Sequence, residues 1–171
     1  MNPTAFTLKS NSGLSNQLVT LVNIIFPNTR QSIEVNAIWD TGATSSVITK
    51  NVVKKLGLLP TGRSHVSTAN GPAIQDTYII DLALPNKIIV KDVTVTEASA
   101  LSGGSEVLIG MDIISLGDFS ITNFKNQTCM SFRIPSMHEI DYVKNLDLKF
   151  VPKVKIGKPG SNITPKKKKR K

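Results

Sequence analysis

Asp40, Thr41 and Gly42 form the chain's single Asp-Thr-Gly or Asp-Ser-Gly tripeptide, a carboxylate followed by a hydroxyl and then by a residue without a Cβ. Gly42 lets the backbone turn sharply, with positive φ open to it, and its amide and those that follow can donate to an ionised carboxylate. A carboxylate held this way suits general acid–base activation of water. An ordinary turn with a solvated Asp uses the same residue types, so the flanking elements have to decide between the two.

Upstream, Ile33, Val35, Ala37 and Trp39 alternate with Ser32, Glu34, Asn36 and Ile38, the period of a strand running into the tripeptide. A second element lies 67 residues beyond Asp40: Val107-Leu108-Ile109 is an apolar strand ending at Gly110, and Met111-Asp112-Ile113-Ile114 follows. Asp112 is placed to cap a short helix over about 112–116. Further strands are expected at about 18–26, 32–39, 63–69, 73–84, 87–97, 106–109, 118–123 and 128–134, rich in Val, Ile and Thr. Thr49 and Gly57 bracket a short helix, with a hydroxyl at its start and a glycine at its end. Asn70-Gly71 inside Ser67–Pro72 marks a hairpin.

With both elements in place, residues 17–134 resemble the retropepsin-like aspartic proteases. The resemblance implies a mainly β, single-domain fold: a closed, barrel-like sheet with a flap hairpin and one or two short helices. In it, Leu108-Ile109-Gly110 threads behind the Asp40 loop. It also implies an aspartic-type endopeptidase, with Asp40, Thr41 and Gly42 as catalytic-loop residues and Ala43, Thr44, Asn70 and Gly71 as substrate contacts. The substrate would be an extended polypeptide gripped by strand addition under the flap. Such chemistry needs two carboxylates, and Asp-Thr-Gly occurs once, so the second Asp40 is expected from a symmetric homodimer. Facing at about 3 Å, the two would share one proton, one acting as base and the other as acid. Pro72 and a tip without a glycine run depart from the viral pattern. Trp39 stands where viral members carry a smaller aliphatic residue and reads as core.

Cys129 stands alone, and His65 and His138 lack ligand spacing, so no metal, cofactor or intrachain disulfide is read. Serine and cysteine nucleophile motifs are also missing their neighbourhoods. With 40% hydrophobic and 19% charged residues, the chain suits one globular domain. Residues 1–16 read as an N-terminal extension and 135–171 as a basic, flexible tail. Residues 142–171 hold 11 of the 21 Lys/Arg and one of the 12 Asp/Glu, leaving the other 141 residues at a net charge of −1. That stretch fits a polyanion, either nucleic acid or an anionic surface. Neither a basic start followed by an apolar run nor a membrane-length segment is present, which points to the cytoplasm. Two other readings stay open: a catalytically silent dimer that binds peptides, and a nucleic-acid-associated protein in which the tail dominates.

Overall fold

The alternating apolar pattern becomes strand after strand in the computed structural model, which describes residues 2–68 and 71–145. The chain divides into two units, Met1–Met137 and His138–Lys171. In the first, the strands are β1 (Thr4–Lys9), β2 (Val19–Ile25), β3 (Ser32–Trp39), β4 (Val47–Thr49), β5 (Gly62–Thr68), β6 (Gly71–Ala83), β7 (Ile89–Ala98), β8 (Val107–Ile109), β9 (Asp118–Phe124) and β10 (Gln127–Ile134). Two short helices, α1 (Lys50–Leu56) and α2 (Met111–Ile114), interrupt them.

Seven strands form one sheet in the order β2-β3-β8-β4-β7-β6-β5, and β2 also pairs with the far end of β6, through Asn23↔Ala83, Ile24↔Leu82 and Ile25↔Asp81. The ring from β2 round to β6 is therefore closed, and β5 hangs from the other half of β6 as a hairpin. Inside the ring lie Val22, Ile24, Ala37, Ile48, Ile80, Leu82, Val95, Val107 and Ile109, all nearly inaccessible. This is the mainly β, closed, barrel-like sheet that the resemblance implies.

A second sheet, β1-β10-β9, packs on the barrel through aromatic rings. Trp39, the last residue of β3, stacks on Phe119 with centroids 5.7 Å apart, and Phe132 and Phe6 close in at 5.1 Å and 5.7 Å. Its indole N–H donates to Thr20 Oγ1 at 2.9 Å, so a buried ring keeps its polar atom satisfied. Trp39 is a core residue, as its position in the alternation implies. Phe132 is fully buried, and burial of such a ring contributes about 3 kcal/mol. Residues 4–9, which the sequence sets outside the domain, form β1 and pair with β10 from Thr4↔Ile134 to Lys9↔Cys129.

The α1 helix follows its signals. Thr49 Oγ1 accepts from Val52 N at its start, and Gly57 takes the left-handed conformation at its end, φ 61°. Gly57 N donates to Lys54 O and Leu58 N to Val53 O, the paired bonds of a Schellman stop.

Tyr78, buried in β6, donates to Glu97 Oε2 at 2.9 Å. Burial and this carboxylate push the phenol up from 10.0 to about 12. Because the folded state holds its proton more tightly than the unfolded one, Tyr78 contributes stability that is complete below pH 10.0 and falls away between there and about pH 12. Alkaline denaturation followed by Trp39 emission should show this fall, and Tyr78→Phe should flatten it; an unchanged alkaline limb would contradict the assignment.

In the second unit, the described residues 138–145 include a 3-10 turn at Val143–Asn145, with Lys144 Nζ 2.7 Å from Glu139 Oε1 and 3.5 Å from Asp141 Oδ2. Most of the basic stretch 142–171 lies outside the described residues. No helix among the described residues is long and apolar enough to cross a membrane.

Candidate active site

Asp40 follows Trp39 directly, and its backbone N–H donates to Ile109 O at 3.0 Å, so the loop leaves the barrel tied to β8. One carboxylate oxygen of Asp40 accepts from Gly42 N at 2.8 Å. Thr41 and Gly42 are exposed, and Asp40 and Ala43 half-exposed. Gly42 is not among the positive-φ residues. A Cβ there would sit 3.2 Å from Asp40 Oδ1, so any side chain at this position would press on the carboxylate. The positive φ open to a glycine is not used here; the backbone instead approaches its own carboxylate closely.

The far side of the loop is stitched to the segment after β8. Met111 N donates to Ala43 O at 2.8 Å and Asp112 N to Thr44 O at 3.1 Å. Gly110 runs so close beneath that a Cβ would lie 2.7 Å from Ser45 O and 3.0 Å from Ala43 O. The glycine ending Leu108-Ile109-Gly110 is therefore required by contact with the loop, in agreement with the threading that the resemblance implies.

Asp112 does not cap α2. The capping position belongs to Gly110, and Asp112 lies inside the first turn. Its carboxylate reaches back 66 residues instead: Oδ2 accepts from Ser46 N at 2.9 Å, and Oδ1 accepts from Ser46 Oγ at 2.8 Å and from Ile113 N at 3.0 Å. Ser46 Oγ in turn accepts from Gly110 N at 3.1 Å. Ser46 is the partner that sequence reading misses, since no local periodicity marks a contact between two such distant positions.

Also unread in the sequence is a row of half-buried apolar side chains on the outer face of the barrel wall. Val19 pairs with Ile38, Ile38 with Leu108, and Leu108 with Val47. Ile38 stands two residues before Asp40, on the side of β3 opposite buried Ala37 and Trp39.

Of the remaining sequence candidates, Thr44 is exposed on the loop and Gly71 opens β6 with φ 104°. The β5–β6 hairpin pairs from Gly62↔Thr77 to Thr68↔Gly71. Asn70 lies outside the described residues.

The family model for gag-polyprotein putative aspartyl proteases matches residues 30–115, about half of the chain. No curated protein matches it. Among solved structures, it is similar to a retropepsin-like aspartic protease from Rickettsia conorii, at 17% identity over 78% of this chain and 96% of that one, TM-score 0.48. The EIAV protease complexed with the inhibitor HBY-793 is 18% identical over 61% of this chain and 91% of its own, TM-score 0.45. The retroviral protease-like domain of Ddi1 from Leishmania major is 19% identical over 77% and 99%, TM-score 0.41. The stretch matched by the family model runs from the turn before β3 through α2 and so contains the whole Asp40 loop with the segment stitched beneath it, and on that match the chain belongs to the retropepsin-like aspartic proteases.

Proposed function

We propose that the protein is an aspartic endopeptidase whose working form is a homodimer, with one Asp40 from each copy. The observation that carries this reading is the loop itself: a half-exposed carboxylate held by Gly42 N–H, on backbone tied to Ile109 at one end and to Met111 and Asp112 at the other. A lone carboxylate cannot be acid and base at once, whereas two facing each other hold one proton between them. The ionised Asp40 takes a proton from a water lying between the pair, and that water attacks the scissile carbonyl carbon. The protonated Asp40 gives its proton to the carbonyl oxygen. Collapse of the tetrahedral species then breaks the C–N bond as the amine is protonated. No covalent intermediate with the protein forms. The two Thr41 hydroxyls tie the facing loops together, and Ala43 and Thr44 flank the peptide.

An extended polypeptide is the fitting substrate. It lies along the loop beneath the β5–β6 hairpin, with Gly71 near the tip, and its backbone pairs as an added strand. The row Ile38, Leu108 and Val47 forms an apolar wall beside Asp40, which favours apolar side chains next to the cleaved bond. Cleavage of a mixed peptide library from about pH 4 to pH 8, with native mass recorded alongside, tests the reading. A dimeric protein that cleaves nothing across that range would move the silent peptide-binding dimer ahead. Leu108→Ser should lower kcat/KM about tenfold for peptides with apolar residues at the scissile bond and spare polar ones. Equal loss on both classes would remove Leu108 from the wall.

The charge of residues 142–171 favours a second, separable property, attachment to a polyanion through the basic stretch. Deleting 142–171 should abolish salt-sensitive binding to nucleic acid while leaving peptide cleavage intact. Persistent binding would overturn it.

A further inference from the structure

We propose that Glu106 makes this peptidase selective for substrates with lysine or arginine beside the cleaved bond. The inference rests on the peptidase reading above and adds the class of substrate: an extended polypeptide whose flanking side chain is long, apolar along its stem and cationic at its end.

Glu106 lies one residue before β8 and carries the ladder onward: its N–H donates to Asn36 O at 2.9 Å, and its carbonyl accepts from Thr49 N at 3.0 Å. Side chains alternate along this stretch. Val107 and Ile109 are buried inside the barrel, so Leu108 and Glu106 stand together on its outer face. Two residues of strand separate them, about 7 Å. Across the sheet, Val47 faces Leu108 and Thr49 faces Glu106. The apolar row of Ile38, Leu108 and Val47 therefore runs into a carboxylate at the end of β8 away from the Asp40 loop.

That carboxylate is held but not neutralised. Its Oε2 accepts from Thr49 Oγ1 and its Oε1 from Asn51 Nδ2, both uncharged donors. No cation among the described residues forms an ion pair with it; Lys50, beside Asn51, turns to Glu97 at 3.5 Å instead. Glu106 is half-buried, where a charge without a counter-charge is less well solvated than in open water. Each of its oxygens accepts one donor and keeps capacity for a second. Two neutral donors thus fix an anion in place and leave its charge to be met from outside, and the approach runs over Leu108. A lysine or arginine of the substrate lays its methylene stem on Leu108 and Val47 and brings its charged end to Glu106. A shorter apolar side chain stops on the wall and leaves the carboxylate unmet. Because the homodimer presents this wall twice, the preference applies on either side of the cleaved bond.

Two sets of peptides, identical except for Lys or Arg in one and Met in the other at two adjacent central positions, test this with the full chain. The wild type should cleave the basic set with kcat/KM at least about tenfold above the Met set. Glu106→Gln should erase that ratio, and Glu106→Asp, which keeps the charge, should retain part of it. Trp39 emission reports whether each variant is folded. An even wild-type rate on the two sets overturns the proposal whether or not a variant folds. A ratio unchanged in Glu106→Gln, with both rates lowered alike, makes Glu106 a clasp for α1 and overturns it too; in both cases the peptidase reading stands. If the wild type cuts neither set, the peptidase reading falls, and binding of the same peptides, labelled with fluorescein, decides the pocket. Tighter binding of the basic set that is lost in Glu106→Gln supports it, and equal binding of the two sets overturns it.

Discussion

Asp40→Asn is expected to reduce kcat for the best library peptide by about a thousandfold or more, while the native mass and the Trp39 emission stay as in the wild type. The amide oxygen of Asn can still accept the Gly42 N–H that Asp40 Oδ1 accepts at 2.8 Å, so the loop keeps its shape. What disappears is the ability to take up and release a proton, and with it the acid–base pair. In the proposed homodimer both copies carry the change, so no mixed pair survives to give partial activity. Measured kcat within about tenfold of wild type, in a folded dimer, would mean that Asp40 does not activate the water. Loss of the dimer along with activity would instead mark Asp40 as a structural member of the loop.

The second large effect is expected at Asp112. Its carboxylate is the acceptor for Ser46 N, Ser46 Oγ and Ile113 N, and Ser46 is only 1% exposed. Asp112→Ala leaves Ser46 N and Ser46 Oγ without their acceptor in a place water barely reaches, while Ile113 N keeps Gly110 O at 3.2 Å, and should destabilise the fold by about 3 kcal/mol. For a unit of this size that is a fall of about 10 °C in Tm. Ser46→Ala removes one donor and also the acceptor of Gly110 N, so it should give a smaller fall and, combined with Asp112→Ala, add little. Thermal unfolding of the two single variants and the double variant checks this. Additive losses would show that the two side chains act separately and that the Asp40 loop is not held by their clasp.

The parts of the molecule legible in the sequence are those whose cause is local. In β3, buried Val35, Ala37 and Trp39 alternate with Glu34 and Asn36, which are exposed, and with half-buried Ile38, so the pattern already contained both the strand and its direction of burial. The α1 helix was readable because Thr49 and Gly57 act on neighbouring amides and carbonyls. β4 was not readable, since three residues cannot display a period. β1 was missed because its apolar side comes down to Phe6 and Leu8, and only the distant β10 and Trp39 give them something to cover. At the site, Asp40, Thr41, Gly42 and the Gly110 segment announced themselves by type and spacing. The role of Asp112 was misread because a carboxylate at the start of a helix has a familiar local use, while its true partner sits in a different part of the chain. The apolar row was invisible for another reason: Val19, Ile38, Leu108 and Val47 become neighbours only through register.

β6 belongs to two structures at once. Its first residues pair only with the hairpin strand β5, its last three complete the barrel against β2, and a register shift between Ile80 and Leu82 separates the halves. At the shift, buried Asp81 accepts from Asp92 N at 3.0 Å, pinning the strand where its regular ladder is broken. Amides near Gly71 can therefore exchange with solvent through small openings, while those near Ala83 wait for the whole barrel to come apart. Along one continuous strand, hydrogen exchange should therefore be fastest near Gly71 and slowest near Ala83.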